Sequence, residues 1–254
     1  MRSRAEVEMV LALAAEGLNN CEIARQTGIP RRTVRDWVRG GRLAGGLGRG
    51  DCQRCGGPFH DPPAVPARDY AYLLGLYLGD GTITRSRRDV LRLRIALDSR
   101  YPEIIAACAR AMRGVLSSSK ILVQRRLSEN CVNVGVYSRQ LACLIPQHGS
   151  GRKHERPIRL ERWQETIAYT EVEALLRGLI HSDGCRHLNR VFVRGKRYVY
   201  PRYNFSNHSA DIRGIFTAAC DRLGIESSQM NATNVSVARR ASVAQLDEFV
   251  GSKW

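Results

Sequence analysis

The sequence predicts an α+β protein in which a small all-α domain precedes a larger, pseudo-two-fold duplicated domain. Turn glycines separate short amphipathic segments near the N-terminus, and two similar segments recur further along the chain. Each recurring segment is followed by a similar order of strand and helix patterns, so we expect two copies of one fold. The predicted parts are a helix-turn-helix domain at 1–42, a linker at 43–68, and repeats at 69–165 and 166–254.

The chain carries a strong positive charge. Its 254 residues include 40 Lys and Arg against 24 Asp and Glu, which gives a net charge of +16. This excess predicts a nucleic-acid partner, with an anionic membrane surface as the weaker alternative. The sequence has no apolar run of about 18 residues and no signal-peptide pattern, so we expect a cytoplasmic, nucleoid-associated protein that does not enter a membrane.

The N-terminal segment has the pattern of three short helices. Val7 and Val10 repeat at helical spacing, Gly28 allows a tight turn, and Pro30 opens a third helix. This pattern is typical of a helix-turn-helix, in which Val34, Trp37 and Val38 are expected to face inward. The polar residues expected to contact a DNA major groove and its phosphates are Arg31, Arg32, Thr33, Arg35 and Arg39. The alternative is an ordinary helical hairpin with a solvated arginine face.

A linker rich in glycine and proline follows the third helix and contains a Cys-x-x-Cys turn. Cys52 and Cys55 have the spacing of zinc ligands, and His60 is a candidate third ligand. The sequence has no second Cys-x-x-Cys to complete a four-ligand site, so an incomplete or vestigial knuckle is the alternative. The cysteine pattern does not indicate a disulfide framework.

The larger domain contains two matching segments, one at 72–81 and one at 175–184. Their alignment places Gly75 with Gly178 and Asp80 with Asp183. Small residues allow two helices to approach closely, so we expect the two segments to pack together and bring the two aspartates side by side. A Thr170-x-x-Glu173 pattern predicts a capping box at the start of the second helix.

Basic residues follow each matching segment in strand-like patterns. The first set, Arg88, Arg92 and Arg94, alternates with apolar residues and predicts a strand with one basic face. The second set lies on a longer hairpin that turns near Gly195, and consists of Arg190, Arg194, Lys196 and Arg202. We expect both sets to contact DNA.

The paired segments resemble the signatures of LAGLIDADG homing endonucleases, and the duplication is similar to that of the single-chain, two-repeat members. The resemblance covers about residues 69–254. It implies that each repeat has the order αββαββα. It also implies a monomer with internal pseudo-two-fold symmetry that binds double-stranded DNA with two saddle-shaped sheets and cuts it with divalent metal.

The resemblance also implies the roles of individual residues. Asp80 and Asp183 would hold two or more Mg²⁺ ions, with the backbone carbonyls of Gly79 and Ser182 as further ligands. Carboxylates that hold hard cations suit phosphodiester hydrolysis, since the cations stabilise charge on the oxygens of the reacting phosphate. The chain has only four lysines, and two of them, Lys153 and Lys253, follow the two aspartates at similar distances. They match the basic residue that family members carry near the active site.

These features leave two main functions open. The first is a site-specific, Mg²⁺-dependent DNA endonuclease. The second is a transcriptional regulator without cleavage activity, because a sporulation-regulator family also joins a LAGLIDADG-like domain to a helix-turn-helix, in the opposite order. That family has lost its catalytic acids, whereas Asp80 and Asp183 are both present here, which favours the nuclease. An intein remnant is a weaker third idea, since no splicing junction is evident.

Overall fold

The computed structural model describes residues 4–38, 52, 54–56, 63–86, 90–126, 130–251 and 253. The chain divides into two compact units, residues 1–61 and residues 62–254. Among the described residues, no helix has the length and apolar character needed to cross a membrane. Three predicted site residues, Arg39, His60 and Arg88, lie outside the described residues.

The first unit contains the three predicted helices. They are α1 (Arg4–Ala15), α2 (Asn20–Thr27) and α3 (Arg31–Val38). Asn19 caps α2 because its side-chain oxygen accepts from the N–H of Glu22 at 3.1 Å, while the Glu22 carboxylate accepts from the N–H of Asn19 at 2.8 Å. Gly28 then ends α2 with φ of 66°, a conformation that favours glycine.

A small core joins these helices. Its buried residues are Val7, Val10, Ile23, Ile29, Val34 and Trp37. The prediction that Val38 faces inward is wrong, because 39% of its surface is exposed. Val38 is the last residue of α3, and the core cluster stops at Trp37.

The second unit contains two copies of the predicted αββαββα order. The first copy is α4 (Ala67–Leu78), β1 (Gly81–Arg85), β2 (Leu91–Asp98), α5 (Pro102–Val115), β3 (Ile121–Arg126), β4 (Cys131–Ser138) and α6 (Leu141–Leu144). A short 3-10 helix (Lys153–Glu155) and α7 (Arg162–Thr170) connect the copies. The second copy is α8 (Val172–Asp183), β5 (Gly184–Val193), β6 (Lys196–Ser206), α9 (Ala210–Arg222), β7 (Ser228–Gln229), β8 (Asn234–Val237) and α10 (Arg240–Val250).

Each copy forms a four-stranded antiparallel sheet. The strand orders are β1-β2-β4-β3 and β5-β6-β8-β7, which correspond position by position. In β2 the residues Leu91, Leu93, Ile95 and Leu97 are buried, whereas Arg92 and Arg94 point to the opposite face. The alternation therefore produces one apolar face that packs on helices and one basic face, as predicted.

The two central helices, α4 and α8, pack without space for side chains at their closest approach. A Cβ on Gly75 would lie 2.5 Å from the carbonyl oxygen of Leu175 and 2.9 Å from the Cα of Gly178. Ser182 also crosses this interface, since its Oγ lies 3.4 Å from the carbonyl oxygen of Gly75. Small residues at these positions are thus required for the helices to meet.

The predicted capping box at Thr170 and Glu173 is wrong. Thr170 is the last residue of α7, so its backbone is already helical, and α8 starts at Val172. Glu171 occupies the N-cap position without a side-chain hydrogen bond to the helix. The two helices follow each other too closely for a cap to form at Thr170.

Candidate functional site

The two aspartates stand at the ends of the central helices. Asp183 is the last residue of α8, and Asp80 lies two residues after the end of α4. Glycine follows each acid because the chain folds back on the last helical turn. A Cβ on Gly81 would lie 2.5 Å from the Cα of Tyr77, and a Cβ on Gly184 would lie 2.7 Å from the Cα of Ile180. The same backbone geometry therefore presents both acids.

The helix packing brings these carboxylates to the same place. A Cβ on Gly79 would lie 3.0 Å from the carboxyl carbon of Asp183, so this acid sits against the end of α4. Desolvation by the surrounding protein and, second, the charge of Asp183 together raise the pKa of Asp80 to about 6, against the opposing charges of Lys253 and Lys153. Asp80 still exposes part of its surface to water. Burial also raises the pKa of Asp183.

Two lysines hold the ends of the same helices. Lys153 Nζ donates to the carbonyl oxygen of Tyr77 at 2.6 Å and to that of Gly79. Lys253 Nζ donates to three carbonyl oxygens, those of Ile180 at 3.0 Å, His181 at 2.7 Å and Ser182 at 2.7 Å. A cation at a helix C-terminus is favoured by the unpaired carbonyls and the helix dipole. Each lysine therefore caps the central helix of its own repeat.

The lysine charges oppose the charges of the aspartates. Burial lowers the pKa of Lys153 to about 8, while Asp183 and then Asp80 act in the opposite direction. Burial also lowers the pKa of Lys253. Here the charge of Asp80 opposes this effect first and the charge of Asp183 second. Each ammonium therefore interacts with the charges of both acids, including the acid of the other repeat.

A cleft of about 470 Å³ opens beside one of these pairs. Its lining combines the two repeats: Tyr77, Gly79, Thr82, His148, Lys153, His154, Arg156, Asp183, Asn207 and His208. Asn207 Oδ1 accepts from the N–H of Ser209 at 2.8 Å, so the Nδ2 of Asn207 is the atom that donates to Asp183. The rings of His154 and His208 lie 5.4 Å apart in the same region.

Sequence reasoning did not select Asn207, His208 or Arg156 as site residues. The repeat alignment contained a signal, because Asn207 and His208 directly follow β6 where Ser99 and Arg100 directly follow β2. Residues that follow equivalent strands end beside the central helices. An unequal pair at such positions indicates that the two repeats present different chemistry.

His181 joins the central helices to the C-terminal helix. The hydroxyl of Tyr72 lies 2.9 Å from Nδ1, and the carbonyl oxygen of Val250 lies 2.7 Å from Nε2. Because a carbonyl only accepts, Nε2 carries the proton and Tyr72 donates to Nδ1. Burial lowers the pKa of His181 to about 4, which is consistent with this neutral form.

The structure places the predicted DNA contacts on three surfaces. On α3, Arg31, Arg32 and Arg35 are exposed and Thr33 is half-buried. Arg92 and Arg94 lie on the open face of the first sheet, where Arg92 Nη2 donates to Gln124 Oε1 at 3.2 Å.

On the β5–β6 hairpin the predicted basic residues divide. The antiparallel register puts Lys196 and Arg202 on the open face and Arg190 on the face that bears the buried Tyr203 and Phe205. Arg194 occupies the turn, with φ of 49°.

The donor set suits a hard cation. The Asp80 and Asp183 carboxylates are oxygen ligands of the kind that Mg²⁺ binds. Burial and, second, the charge of Asp183 disfavour the ionised form of Asp80 and raise its pKa, and a divalent cation bound by the carboxylates would relieve both effects. The carbonyl oxygens of Gly79 and Ser182 already accept hydrogen bonds from Lys153 and Lys253. Each of these carbonyl oxygens has a second lone pair, so the prediction that Gly79 and Ser182 contribute backbone ligands stays a prediction.

The Cys-x-x-Cys segment forms a turn. The N–H of Gly56 donates to the carbonyl oxygen of Cys52 at 2.8 Å, and Gly56 has φ of 66°. Cys52 and Cys55 are both buried, and neither forms a disulfide.

Comparisons with known proteins match the two units separately. Residues 1–45 match a family model described as a homeodomain-like domain. A search of curated protein sequences finds no match.

The larger unit is similar to a crystal structure of I-DmoI in complex with DNA and Mn, with 17% identity and a TM-score of 0.50, covering 74% of this chain and 99% of that chain. A second structure is the LAGLIDADG meganuclease I-AabMI bound to uncleaved DNA, with a TM-score of 0.45 and 14% identity, covering 71% of this chain and 82% of that chain. A third is the N-terminal LAGLIDADG domain of DUF199/WhiA, with a TM-score of 0.42 and 12% identity, covering 74% of this chain and 83% of that chain. The predicted fold is confirmed: the chain joins a homeodomain-like domain to the duplicated LAGLIDADG fold.

Proposed function

We propose that this protein is a site-specific endonuclease that hydrolyses phosphodiester bonds of double-stranded DNA with a divalent metal such as Mg²⁺. The observation that carries the proposal is the pair of acids, Asp80 and Asp183, held together at the ends of two helices. Burial raises the pKa of Asp80 and the neighbouring charge of Asp183 adds to this shift, so two ionised acids at this place are unfavourable to the folded protein. A divalent cation held by the two carboxylates would offset this cost, which accounts for the presence of both acids.

The chain's own residues divide the work of hydrolysis. The two carboxylates hold the metal, which supplies charge stabilisation to the reacting phosphate when bound. Lys153 uses two of its three N–H groups on helix carbonyls, so one remains to donate to a phosphate oxygen or to water. Asn207 fixes the orientation of the Asp183 carboxylate through its hydrogen bond.

Basic surfaces support duplex DNA as the substrate. The open face of the first sheet carries Arg92 and Arg94, and the longer hairpin carries Lys196 and Arg202. Phosphate contacts from such residues position a protein on the duplex, and contacts to base edges give specificity. The homeodomain-like residues on α3 add a further DNA contact. The relative in complex with DNA and Mn has the same fold, which agrees with this assignment.

A plasmid-library cleavage assay tests the proposal. Wild-type protein with Mg²⁺ is expected to linearise a subset of plasmids, and Asp80→Asn and Asp183→Asn are expected to bind the same sites without making both cuts. Titration of the binding affinity with salt checks the phosphate contacts. Each phosphate contact that a protein variant lacks should reduce the slope of log affinity against log salt by about one. Cleavage that is unchanged in both variants would contradict the roles of the acids.

A second candidate is a transcriptional regulator that binds DNA without cutting it. The homeodomain-like match over residues 1–45 favours this alternative, because such domains bind DNA and perform no hydrolysis. Tight binding to selected sites with no cleavage of any library member under Mg²⁺ or Mn²⁺ would decide for the regulator.

We also propose Zn²⁺ at the Cys-x-x-Cys turn. The turn orients two buried sulfur atoms at the spacing of zinc ligands, Cys52 and Cys55. Elemental analysis of the purified protein is expected to show zinc that Cys52→Ser loses. Equal zinc content in both proteins, or none in either, would remove this site.

A further inference from the structure

Residues 187–202 form a two-stranded ribbon. The β5–β6 ladder runs from Gly184 and Phe205 to Val193 and Lys196, whereas the ladder between β6 and β8 begins only at Tyr203. Among the described strands, the outer part of β5 and β6 therefore pairs only with itself. A two-stranded ribbon has the width that a DNA major groove admits.

The two faces of this ribbon follow from the pairing. Directly opposed residues of an antiparallel pair share a face, and Tyr203 and Phe205 are buried against the helices. The opposite face is open along the whole sheet, and we name its residues within the ribbon the ribbon face. In the ribbon itself the Tyr203 face is exposed as well, with Leu188 53% and Phe192 71% exposed. The ribbon face consists of His187, Asn189, Val191, Val193, Lys196, Tyr198, Tyr200 and Arg202.

The middle of the ribbon face is apolar and exposed. Val191 exposes 36% of its surface, Val193 48%, Tyr198 39% and Tyr200 45%. The rings of Tyr198 and Tyr200 stack with centroids 6.2 Å apart and an interplanar angle of 3°, so they form one continuous apolar strip along the ribbon. Exposed apolar surface flanked by polar residues marks a binding surface. Here the flanking charges are the cations Lys196 and Arg202, which suit phosphates on either side.

The first sheet presents different chemistry in the corresponding position. Its open face carries Arg92 and Arg94 together with Gln124 and Asn133. Arg92 is held by Gln124 and lies over the ring of Tyr137, 5.3 Å from its centroid. Fixed guanidinium and amide groups suit hydrogen bonding to base edges. The two sheets are therefore built to recognise different features of DNA.

In a major groove, the apolar group that a base pair presents is the C5-methyl of thymine. An apolar strip between cations therefore complements a run of thymine methyls between phosphates. We propose that the ribbon face recognises one half of the DNA target through thymine C5-methyl groups, mainly by Val191, Val193, Tyr198 and Tyr200. This inference rests on the proposed function only in requiring duplex DNA as the ligand, and it does not require cleavage.

Replacement of thymine by deoxyuridine tests the inference, because it removes the methyl and keeps every hydrogen-bonding group. Duplexes are selected from a random library by binding to the full chain in EDTA, and thymines in each half are then replaced separately. Affinity is measured by fluorescence anisotropy. In one half, each contacted methyl that is removed is expected to weaken binding about three- to fourfold. The same replacement in the other half is expected to change affinity far less.

Protein variants assign the effect to the ribbon face. The double variant Val191→Thr, Val193→Thr exchanges one methyl of each valine for a hydroxyl and keeps the β-branched shapes. It should bind more weakly and lose part of its sensitivity to deoxyuridine, because Tyr198, Tyr200 and the remaining methyl groups still contact the bases. The matched control is Leu188→Thr, on the other face of the same ribbon and also exposed, which should keep full sensitivity. Equal affinity for thymine and deoxyuridine duplexes, or undiminished sensitivity in the double variant, would overturn the inference. Failure to bind any duplex would instead overturn the proposed function.

Discussion

His181 and Val250 are joined by a hydrogen bond, with Nε2 of the histidine 2.7 Å from the carbonyl oxygen of the valine. Val250 ends α10, and the chain then turns at Gly251, which has φ of 72°, before Lys253 reaches the end of α8. The hydrogen bond therefore fixes the point from which the lysine-bearing segment leaves its helix. Tyr72 of the first repeat holds the other side of the imidazole.

Loss of this hydrogen bond is expected to affect one DNA strand more than the other. His181→Phe keeps an aromatic ring but removes both hydrogen bonds, so Lys253 loses its fixed position. Because small displacements of positioned groups are costly, the cut that depends on Lys253 should slow by roughly tenfold or more. The measurement is strand-resolved cleavage of an end-labelled duplex, in which a nicked intermediate should accumulate.

Two comparisons distinguish positioning from a general loss of stability. Lys253→Met should slow the same strand, and combining it with His181→Phe should add little, because both changes act through one group. Tyr72→Phe removes only the hydrogen bond to Nδ1 of His181, leaves the bond to Val250 in place and should have a smaller effect. Equal slowing of both strands by His181→Phe would indicate a purely structural role.

The two lysines are expected to differ in their contributions. Lys153 donates to two carbonyl oxygens and has one N–H left, whereas Lys253 donates to three and has none left in this arrangement. Removing a donor that contacts a developing charge typically costs about 100- to 1,000-fold in rate. Lys153→Met should therefore slow its strand by about 100-fold, and Lys253→Met should have the smaller effect of a lost fixed charge. Single-turnover rates for each strand check this, and equal losses would contradict it.

The contact between the central helices predicts a large stability difference between two glycine substitutions. Gly75→Ala would place its Cβ 2.5 Å from the carbonyl oxygen of Leu175, so the helices must separate, and we expect a loss of at least about 2 kcal/mol. Gly214→Ala in α9 is the matched control, because nothing lies within 4 Å of its Cβ and alanine favours a helix by about 1 kcal/mol. Urea unfolding should show opposite signs, and equal effects would argue against close packing at Gly75.

Sequence patterns predicted the elements whose signals are local or repeated. The alternation in β2 and the paired glycines and aspartates of α4 and α8 are periodic features, so the repeat order and the meeting of Asp80 with Asp183 could be inferred. The false capping box at Thr170 shows the limit of a local motif. Thr170, the first residue of the motif, ends α7 instead of capping a helix, because α8 follows almost directly.

Contacts between distant segments could not be inferred in the same way. Lys153 and Lys253 follow the two aspartates at similar distances in the sequence, which indicated that they occupy equivalent positions in the two repeats. This spacing could not show that each ammonium binds the carbonyls at the end of a helix. Nor could it place Asn207 beside Asp183, because that contact depends on how one sheet meets the other repeat's helix. Such contacts are set by tertiary packing, which a periodic pattern does not encode.

The aspartate pair predicts an unusual dependence of stability on pH in the metal-free protein. The pKa of Asp80 rises from 3.8 to about 6, so its favourable contribution is present below about pH 4 and is lost as the pH rises through 6. Asp80→Asn should therefore stabilise the protein at pH 8, by less than about 1 kcal/mol because solvent screens the partly exposed group, and should have little effect near pH 4.

Thermal unfolding in EDTA measures this effect, and Asp98→Asn supplies a control of opposite sign. The Arg100 guanidinium and backbone N–H hydrogen-bond to the Asp98 carboxylate and lower its pKa, so that its stabilising contribution is present above its usual pKa and is lost on acidification. Asp98→Asn should destabilise the protein at pH 8, where Asp80→Asn stabilises it. Added Mg²⁺ should stabilise the wild type more than Asp80→Asn, because binding to the native state raises stability in proportion to the affinity. A lower melting temperature for Asp80→Asn at pH 8 in EDTA would show that the ionised Asp80 carboxylate does not destabilise the folded protein.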